Sequence, residues 1–315
     1  MANCHNLFKK FHENEISITG GKKDRMIDSK NALRRRIRKW FKENHSDYEP
    51  KFFIQGSNKM KNGIRTKDDI CDIDDGVYFF REPDVTATTI QKWVWEAVNG
   101  YTETTPEHRK KCIRSIFAGD YEMDHPVYYK VDEQEYKIAV KDNGWEDSDP
   151  KAVVDWFQKK KDSDGRLVRS TMYLKAWCDN KRNKMPNGLS MTVLASNAKD
   201  KIVLNERDDI TLKDILKEIK KALDIKFECI VPAAPHDNLF DSYDTTRKDN
   251  FLTNLQEFID DAEKALKEEN QLTASKLWRK HLGSRFPEGK DEKEQSDSKA
   301  VYVATAARTS NPWSE

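Results

Sequence analysis

The sequence predicts an α+β fold in which a strand-rich lobe packs on a helical one. Two observations carry that expectation. Alternating stretches rich in β-branched and aromatic residues lie in the first half of the 315-residue chain, at 51–55, 72–80, 120–131 and 135–141. From Pro150 onward, apolar residues recur at helical spacing over 151–161, 166–181, 189–202, 211–223 and 247–267. Strands gathered before helices suit an α+β architecture better than alternating βαβ units, and the division falls near 145–165.

The elements follow in order. Residues 5–17, with Leu7, Phe8, Phe11 and Ile16, make at most a short amphipathic helix, broken at Gly20-Gly21. Residues 24–45 set Met26, Ile27, Leu33, Ile37, Trp40 and Phe41 on one face of a long helix, with Arg34, Arg35, Arg36 and Arg38 as its solvated face. The strand at 51–55 runs into a Gly56-Ser57 turn, and the strand at 72–80 follows. Residues 86–98 and 104–117 are helical by period. The strand at 120–131 pairs with 135–141 through the turn at 132–134. A Pro-rich loop at 231–237 interrupts the helical half, and the polar composition from about 288 predicts a disordered tail. The expected organisation is N-terminal helices over 1–50, a catalytic core over 51–160, a helical lobe over 161–287 and a tail over 288–315.

Composition narrows the function classes. Charged residues make up 35% and the net charge is +1, so nothing pulls the chain as a whole toward nucleic acid or an anionic membrane, and any anion site must be local. Five scattered cysteines, none at CxxC spacing, indicate neither a disulfide framework nor a zinc site and suit a reducing cytoplasm. No apolar run approaches the roughly 20 residues of a membrane span, and the first residues lack a signal-peptide layout. A cytoplasmic chain with no membrane partner and no stable nucleic-acid partner is expected.

The chemistry concentrates in 53–80. Residues two apart on a strand share a face, so Asp72 and Asp74 project together and Asp75 projects oppositely. Paired carboxylates repel unless a cation lies between them, and hard oxygen ligands suit Mg²⁺. Gly56-Ser57 lets backbone N–H groups come close to a phosphate, and the Ser57 hydroxyl adds a donor. A two-metal phosphoryl-transfer centre needs one more carboxylate, and Asp124, set in an otherwise apolar strand, is the best-placed candidate. His125 beside it alternates to the other face and is read as structural, as is Tyr78 beneath the carboxylates.

Strand, Gly-Ser, then Asp-x-Asp in a strand and a third strand aspartate about 50 residues on form a specific order, and it resembles the polymerase-β-like nucleotidyltransferase superfamily. The wording QGS, then DIDDGVYF, then MDHPVYY is similar to the bacterial cGAS/DncV-like nucleotidyltransferases, in their DncV-like branch. The resemblance extends to RLVRSTMYLKAWC and PNGLSMTVL in the helical half. It implies that Gln55, Gly56, Ser57, Lys175 and Ser190 hold the donor triphosphate. It further implies that Asp72, Asp74 and Asp124 bind two Mg²⁺ ions, with Mn²⁺ as a substitute. The implied activity is cyclic oligonucleotide synthesis from ATP, GTP or other NTPs, most simply to a cyclic dinucleotide such as cGAMP, in bacterial anti-phage (CBASS) signalling. It also implies a conjugating or regulatory partner at the tail VATAARTSNPWSE.

Two other classes compete with this one. An RNA-directed polymerase of the superfamily would carry a basic groove, which a net charge of +1 disfavours, while members that modify proteins or small molecules stay open. A binding module that had lost catalysis would show a damaged triad, whereas all three carboxylates are present.

Overall fold

The computed structural model describes residues 2–291. A short helix α1 (His5–Lys10) continues as a π-helical turn (Phe11–Ile16). The long α2 (Gly20–Asn44) begins at the glycine pair, with Thr19 before it. Next come β1 (Lys51–Gln55), the one-turn helix α3 (Gly56–Met60), β2 (Cys71–Phe79) and α4 (Ala87–Val98). The sheet is completed by β3 (Glu107–His108), β4 (Ile113–Phe117), β5 (Tyr121–His125), β6 (Val127–Tyr129), β7 (Lys137–Val140) and β8 (Gly144–Asp147). The helical half is α5 (Pro150–Lys160), α6 (Arg166–Lys181), α7 (Gly188–Lys199), α8 (Asp208–Ile225), α9 (Thr245–Lys267) and α10 (Gln271–Leu282). None of the described helices is long and apolar enough to cross a membrane.

The eight strands form one sheet centred on β2, with antiparallel β1 on one side and parallel β5 and β6 on the other. The stretch expected as a single strand over 120–131 is interrupted at Pro126, which has no N–H to donate; its carbonyl still accepts from the Val77 N–H at 2.9 Å. The interruption lets β5 pair with β4 while β6 pairs with β7, in the register Tyr128 to Ile138.

Two expectations are overturned: Arg34 leaves the solvated face of α2 to pair with buried Asp75, and the helix over 104–117 is absent, its stretch occupied by β3 and β4. Ile113, Ile116 and Phe117 satisfy a helical period as well as a strand, but the free edge of β5 offers a full ladder of hydrogen-bond partners, and the segment pairs there from Ile113–His125 to Phe117–Tyr121.

The two faces of the sheet bury different things. Ile73, Val77 and Phe79 face a core shared with Leu33, Ile37 and Phe41 of α2 and Ile90 and Val94 of α4. On the other face Tyr78, Tyr128, Ile138 and Val140 make a smaller cluster toward Phe53 and Tyr136. The helical half has its own core, and α1 belongs to it: Phe8 and Phe11 are fully buried with Tyr173, Trp177, Trp278 and Phe286. The polar tail expected from about 288 lies outside the described residues from 292 on. So does the segment on which the family resemblance places a conjugating partner.

Candidate active site

The site is built on the face of β2 opposite α2 and α4. Parallel register puts Asp72 beside Glu122 and Asp74 beside Asp124, and antiparallel register puts Arg114 of β4 opposite Asp124. Alternation therefore brings four carboxylates and one guanidinium onto a single surface. Asp75 goes through the sheet to the other face, where it is fully buried and held in a fork by Arg34 of α2, with the Nε donating at 2.7 Å.

Arg114 is the counter-charge of this surface. Its Nε and Nη2 donate to the two oxygens of Asp124 at 2.6 and 2.7 Å, its Nη1 pairs with Glu122, and its Nη2 lies 3.9 Å from Asp72. Such a fork is among the stronger ion-pair geometries. Asp74 has no such partner. Burial, then the charges of Asp124 and Asp72, push its carboxyl up to about 7. Asp72 is also raised, first by desolvation and then by Asp124, against the lowering effect of Arg114, although 59% of its side chain is exposed.

Helix α3 presses against these carboxylates. Gly56 stands at φ +57, and a Cβ there would lie 2.1 Å from the Asp74 Oδ2. Glycine is required twice over, by the left-handed backbone and by the approach of Asp74. Asn58 donates to the Asp72 carbonyl at 2.8 Å and ties the turn to β2. Gln55 lies almost wholly beneath this surface, accepting from the Tyr78 hydroxyl at 2.8 Å and donating to the Tyr128 hydroxyl at 3.3 Å.

A cleft of about 590 Å³ opens above the carboxylates, within the usual range for a small-molecule site. Gln55, Gly56, Ser57, Asp72, Asp74 and Lys175 all line it, so six residues singled out in the sequence meet in one cavity. Asp124 stands beside Asp74 in the parallel register but is not part of the lining. Ser190 is fully buried behind it: its hydroxyl donates to Asn187 Oδ1 at 3.1 Å, and its N–H donates to the same oxygen at 2.9 Å, capping α7. Gly188, Leu189 and Thr192 are what α7 shows to the cleft.

Lys175 reaches the cleft from α6. Its amine donates to the backbone carbonyl and to Oδ1 of Asn62, both at 2.9 Å, and desolvation lowers it to about 7 against the pull of Asp74. Asn62 is buried and also donates to Thr171 and Thr192 at 3.3 and 3.2 Å, so it joins the turn after α3 to both α6 and α7.

Three contributors escaped the sequence reading. Arg114 was hidden by the helical reading of its segment. Glu122 was legible, two residues before Asp124 in the same alternation. Asn62 carried only the turn signal of Asn62-Gly63, and nothing local tells that a turn asparagine will be buried against two helices.

The donor set fits a hard divalent cation in part. Asp72 and Asp74 offer carboxylate oxygens from one face, and a cation between them would relieve the repulsion that raises Asp74. Among the described residues no group of three or more carboxylate, histidine or cysteine side chains surrounds a common point, because Asp124 is turned onto Arg114.

The parallel β2–β5 pair carrying the carboxylates, with the glycine turn beside it and a helical half beyond, has the fold of the polymerase-β-like nucleotidyltransferases. Known structures share this fold. Vibrio cholerae DncV in complex with the linear intermediate 5′ pppA(3′,5′)pG superposes with a TM-score of 0.79 at 18% identity, covering 90% of this chain and 96% of that one. The Escherichia coli DncV 3′-deoxy GTP bound form gives 0.76 at 18% identity, covering 89% of this chain and 97% of that one. At such identities the likeness is one of fold. Residues 50–128 match the family model of the cyclic GMP-AMP synthase DncV-like nucleotidyltransferase domain. A cyclic GMP-AMP synthase of Escherichia albertii is 29% identical over 218 residues, covering 64% of this chain and 48% of that protein, so the chain spans about half the length of this curated relative. Residues 50–128 are thus similar to a DncV-like nucleotidyltransferase domain, and the rest of the described chain shares the DncV fold.

Proposed function

We propose that this chain joins nucleoside triphosphates by nucleotidyl transfer, with release of pyrophosphate, and closes the product to a cyclic dinucleotide such as cyclic GMP-AMP. The observation that carries the reading is the meeting of Asp72 and Asp74 with Gly56, Ser57 and Lys175 in one cleft. The nucleotides named for the DncV structures and for the Escherichia albertii relative support ATP and GTP as substrates.

In this reading Ser57 and Lys175 hold the donor triphosphate, and Gln55 and Gly56 shape the floor beneath it. Ser190 supports the same wall by donating its N–H and hydroxyl to Asn187, the N-cap of α7. Asp72, Asp74 and Asp124 would hold two Mg²⁺ ions, or Mn²⁺ in their place. Metal ions held there would supply charge neutralisation for the donor phosphates and a lowered pKa for the acceptor hydroxyl. The acceptor's 2′- or 3′-hydroxyl oxygen attacks the α-phosphorus, its proton passes to the Asp124 carboxylate once that side chain turns from Arg114 into the cleft, and the bond to pyrophosphate breaks. Arg114 takes up the charge of whichever carboxylates are left unpaired. A second transfer on the linear intermediate closes the ring. The division into a catalytic core over 51–160 and a helical lobe over 161–287 belongs to this reading. So do a cytoplasmic location, a role in bacterial anti-phage (CBASS) signalling and a conjugating partner at the tail.

Incubation with each labelled NTP, alone and in pairs, tests the proposal. A phosphatase-resistant small product with stoichiometric pyrophosphate is expected, and both are lost in Asp72→Ala/Asp74→Ala. Label found in RNA or protein instead would turn the reading to another nucleotidyltransferase, and pyrophosphate release unchanged in the double variant would overturn the site.

A further inference from the structure

We infer that Arg182 is a second phosphate-gripping cation of the cleft, parked on two aspartates until a nucleotide arrives. The inference rests on the nucleotidyl-transfer reading above and assigns a residue which that reading does not use.

Among the described residues lining the cleft, the cations are Lys175 and Arg182, against the carboxylates Asp72, Asp74 and Asp179. Lys175 is committed to Asn62 through two hydrogen bonds. Arg182 is held differently. Its Nη2 donates to Asp68 at 2.5 Å and to Asp179 at 3.2 Å, its Nε donates to the backbone carbonyl of Asp179 at 3.1 Å, and its side chain is 45% exposed. Neither aspartate depends on it. Asp68 is 54% exposed and can be hydrated in its place. Asp179 keeps the Lys67 N–H at 2.6 Å and the Arg285 guanidinium at 3.5 Å. The guanidinium can therefore leave both partners without stranding a buried charge, and its fork of N–H donors can grip phosphate oxygens bidentately.

The backbone agrees with a selected side chain. Arg182 ends α6 at φ +53 and ψ −47, a conformation that costs a non-glycine residue energy and that glycine adopts freely. A helix end serving only to stop the helix would be better served by glycine. Here the position carries a long cationic side chain over the cleft, and Asp68 lies in the segment 65–70 that leads directly into β2 and Asp72. Moving Arg182 from Asp68 to phosphate exchanges one anion for another at the rim of the site.

The test uses the full chain and three variants, with binding of a non-hydrolysable ATP analogue and of AMP measured by calorimetry. Arg182→Gly relieves the backbone and removes the guanidinium. It should bind the triphosphate analogue about tenfold more weakly, with AMP binding and Tm unchanged, and raise KM for NTP more than it lowers kcat. Arg182→Lys should recover part of the loss. Asp68→Asn, which removes the competing anion, should bind the analogue more tightly than wild type. Unchanged analogue binding in Arg182→Gly, in a protein whose wild type still forms product, overturns the inference alone. Equal weakening in Asp68→Asn and Arg182→Gly also overturns it, by making the pair a plain clamp on the 65–70 segment. A wild-type chain that neither binds the analogue nor releases pyrophosphate overturns the nucleotidyl-transfer reading and this inference with it.

Discussion

At the scale of single residues, the site is governed by how its negative charge is balanced. Asp124 and Glu122 share Arg114, while Asp74 is left with burial and two like charges. Its folded pKa of about 7 lies above the ordinary 3.8, so folding favours the protonated carboxyl. That contribution is complete below about 3.8 and is lost as pH rises through about 7. Asp74→Asn should therefore be more thermostable than wild type at pH 8 and no more so at pH 4. A divalent cation binds the ionised form, so the rise in Tm on adding Mg²⁺ should be largest at pH 8, fade below about pH 7 and be smaller in Asp74→Asn; scanning fluorimetry across pH reads all of this. Arg114 gives a second prediction. Its guanidinium is only 13% exposed, and removing it leaves two partly buried carboxylates without a counter-charge. Arg114→Ala should lose about 3 kcal/mol of stability by urea denaturation without metal, and Mg²⁺ should restore more of that loss than it adds to wild type.

At the scale of elements, the one-turn helix α3 decides the geometry of the carboxylate it touches. Its first residue must be glycine, because a methyl group would sit 2.1 Å from Asp74 Oδ2. Gly56→Ala should abolish nucleotidyl transfer by displacing Asp74 while leaving the far-UV circular dichroism unchanged; activity within twofold of wild type would refute the contact. The β4–β5 pair shows the limit of local reading. Alternation in β5 was visible and put Asp124 on the right face. The pattern of Ile113, Ile116 and Phe117 fitted a helix equally well, so Arg114 could not be aimed at Asp124 from the sequence. Only the vacant edge of β5 settles that choice.

At the scale of the whole molecule, the first and last described helices close the same core. Phe8 packs edge-on against Tyr173, Trp278 and Phe286 at ring distances of 5.0, 4.9 and 4.8 Å, although more than 160 residues separate it from the nearest of them in sequence. The N-terminal segment, legible only as a short amphipathic helix, is a structural part of the helical half. Phe8→Ala should cost about 4 kcal/mol in equilibrium denaturation, far beyond what loss of a peripheral helix would cause. Asn62 links the two halves at the cleft, joining the turn after α3 to Lys175, Thr171 and Thr192.

Residue order alone determined the α+β class, the strand bearing Asp72 and Asp74, the turn at Gly56-Ser57 and the face from which Asp75 is excluded. Each of these follows from period, alternation or a glycine, all of which act over a few neighbours. Tertiary structure decided what meets across distance: Arg114 on Asp124, Arg34 on Asp75, Asn62 under Lys175, and Ser190 turned inward on Asn187 rather than toward the cleft. A charged or amide side chain shows no preference for its partner in local sequence, because the pairing energy exists only once the two backbones have been brought within hydrogen-bonding reach.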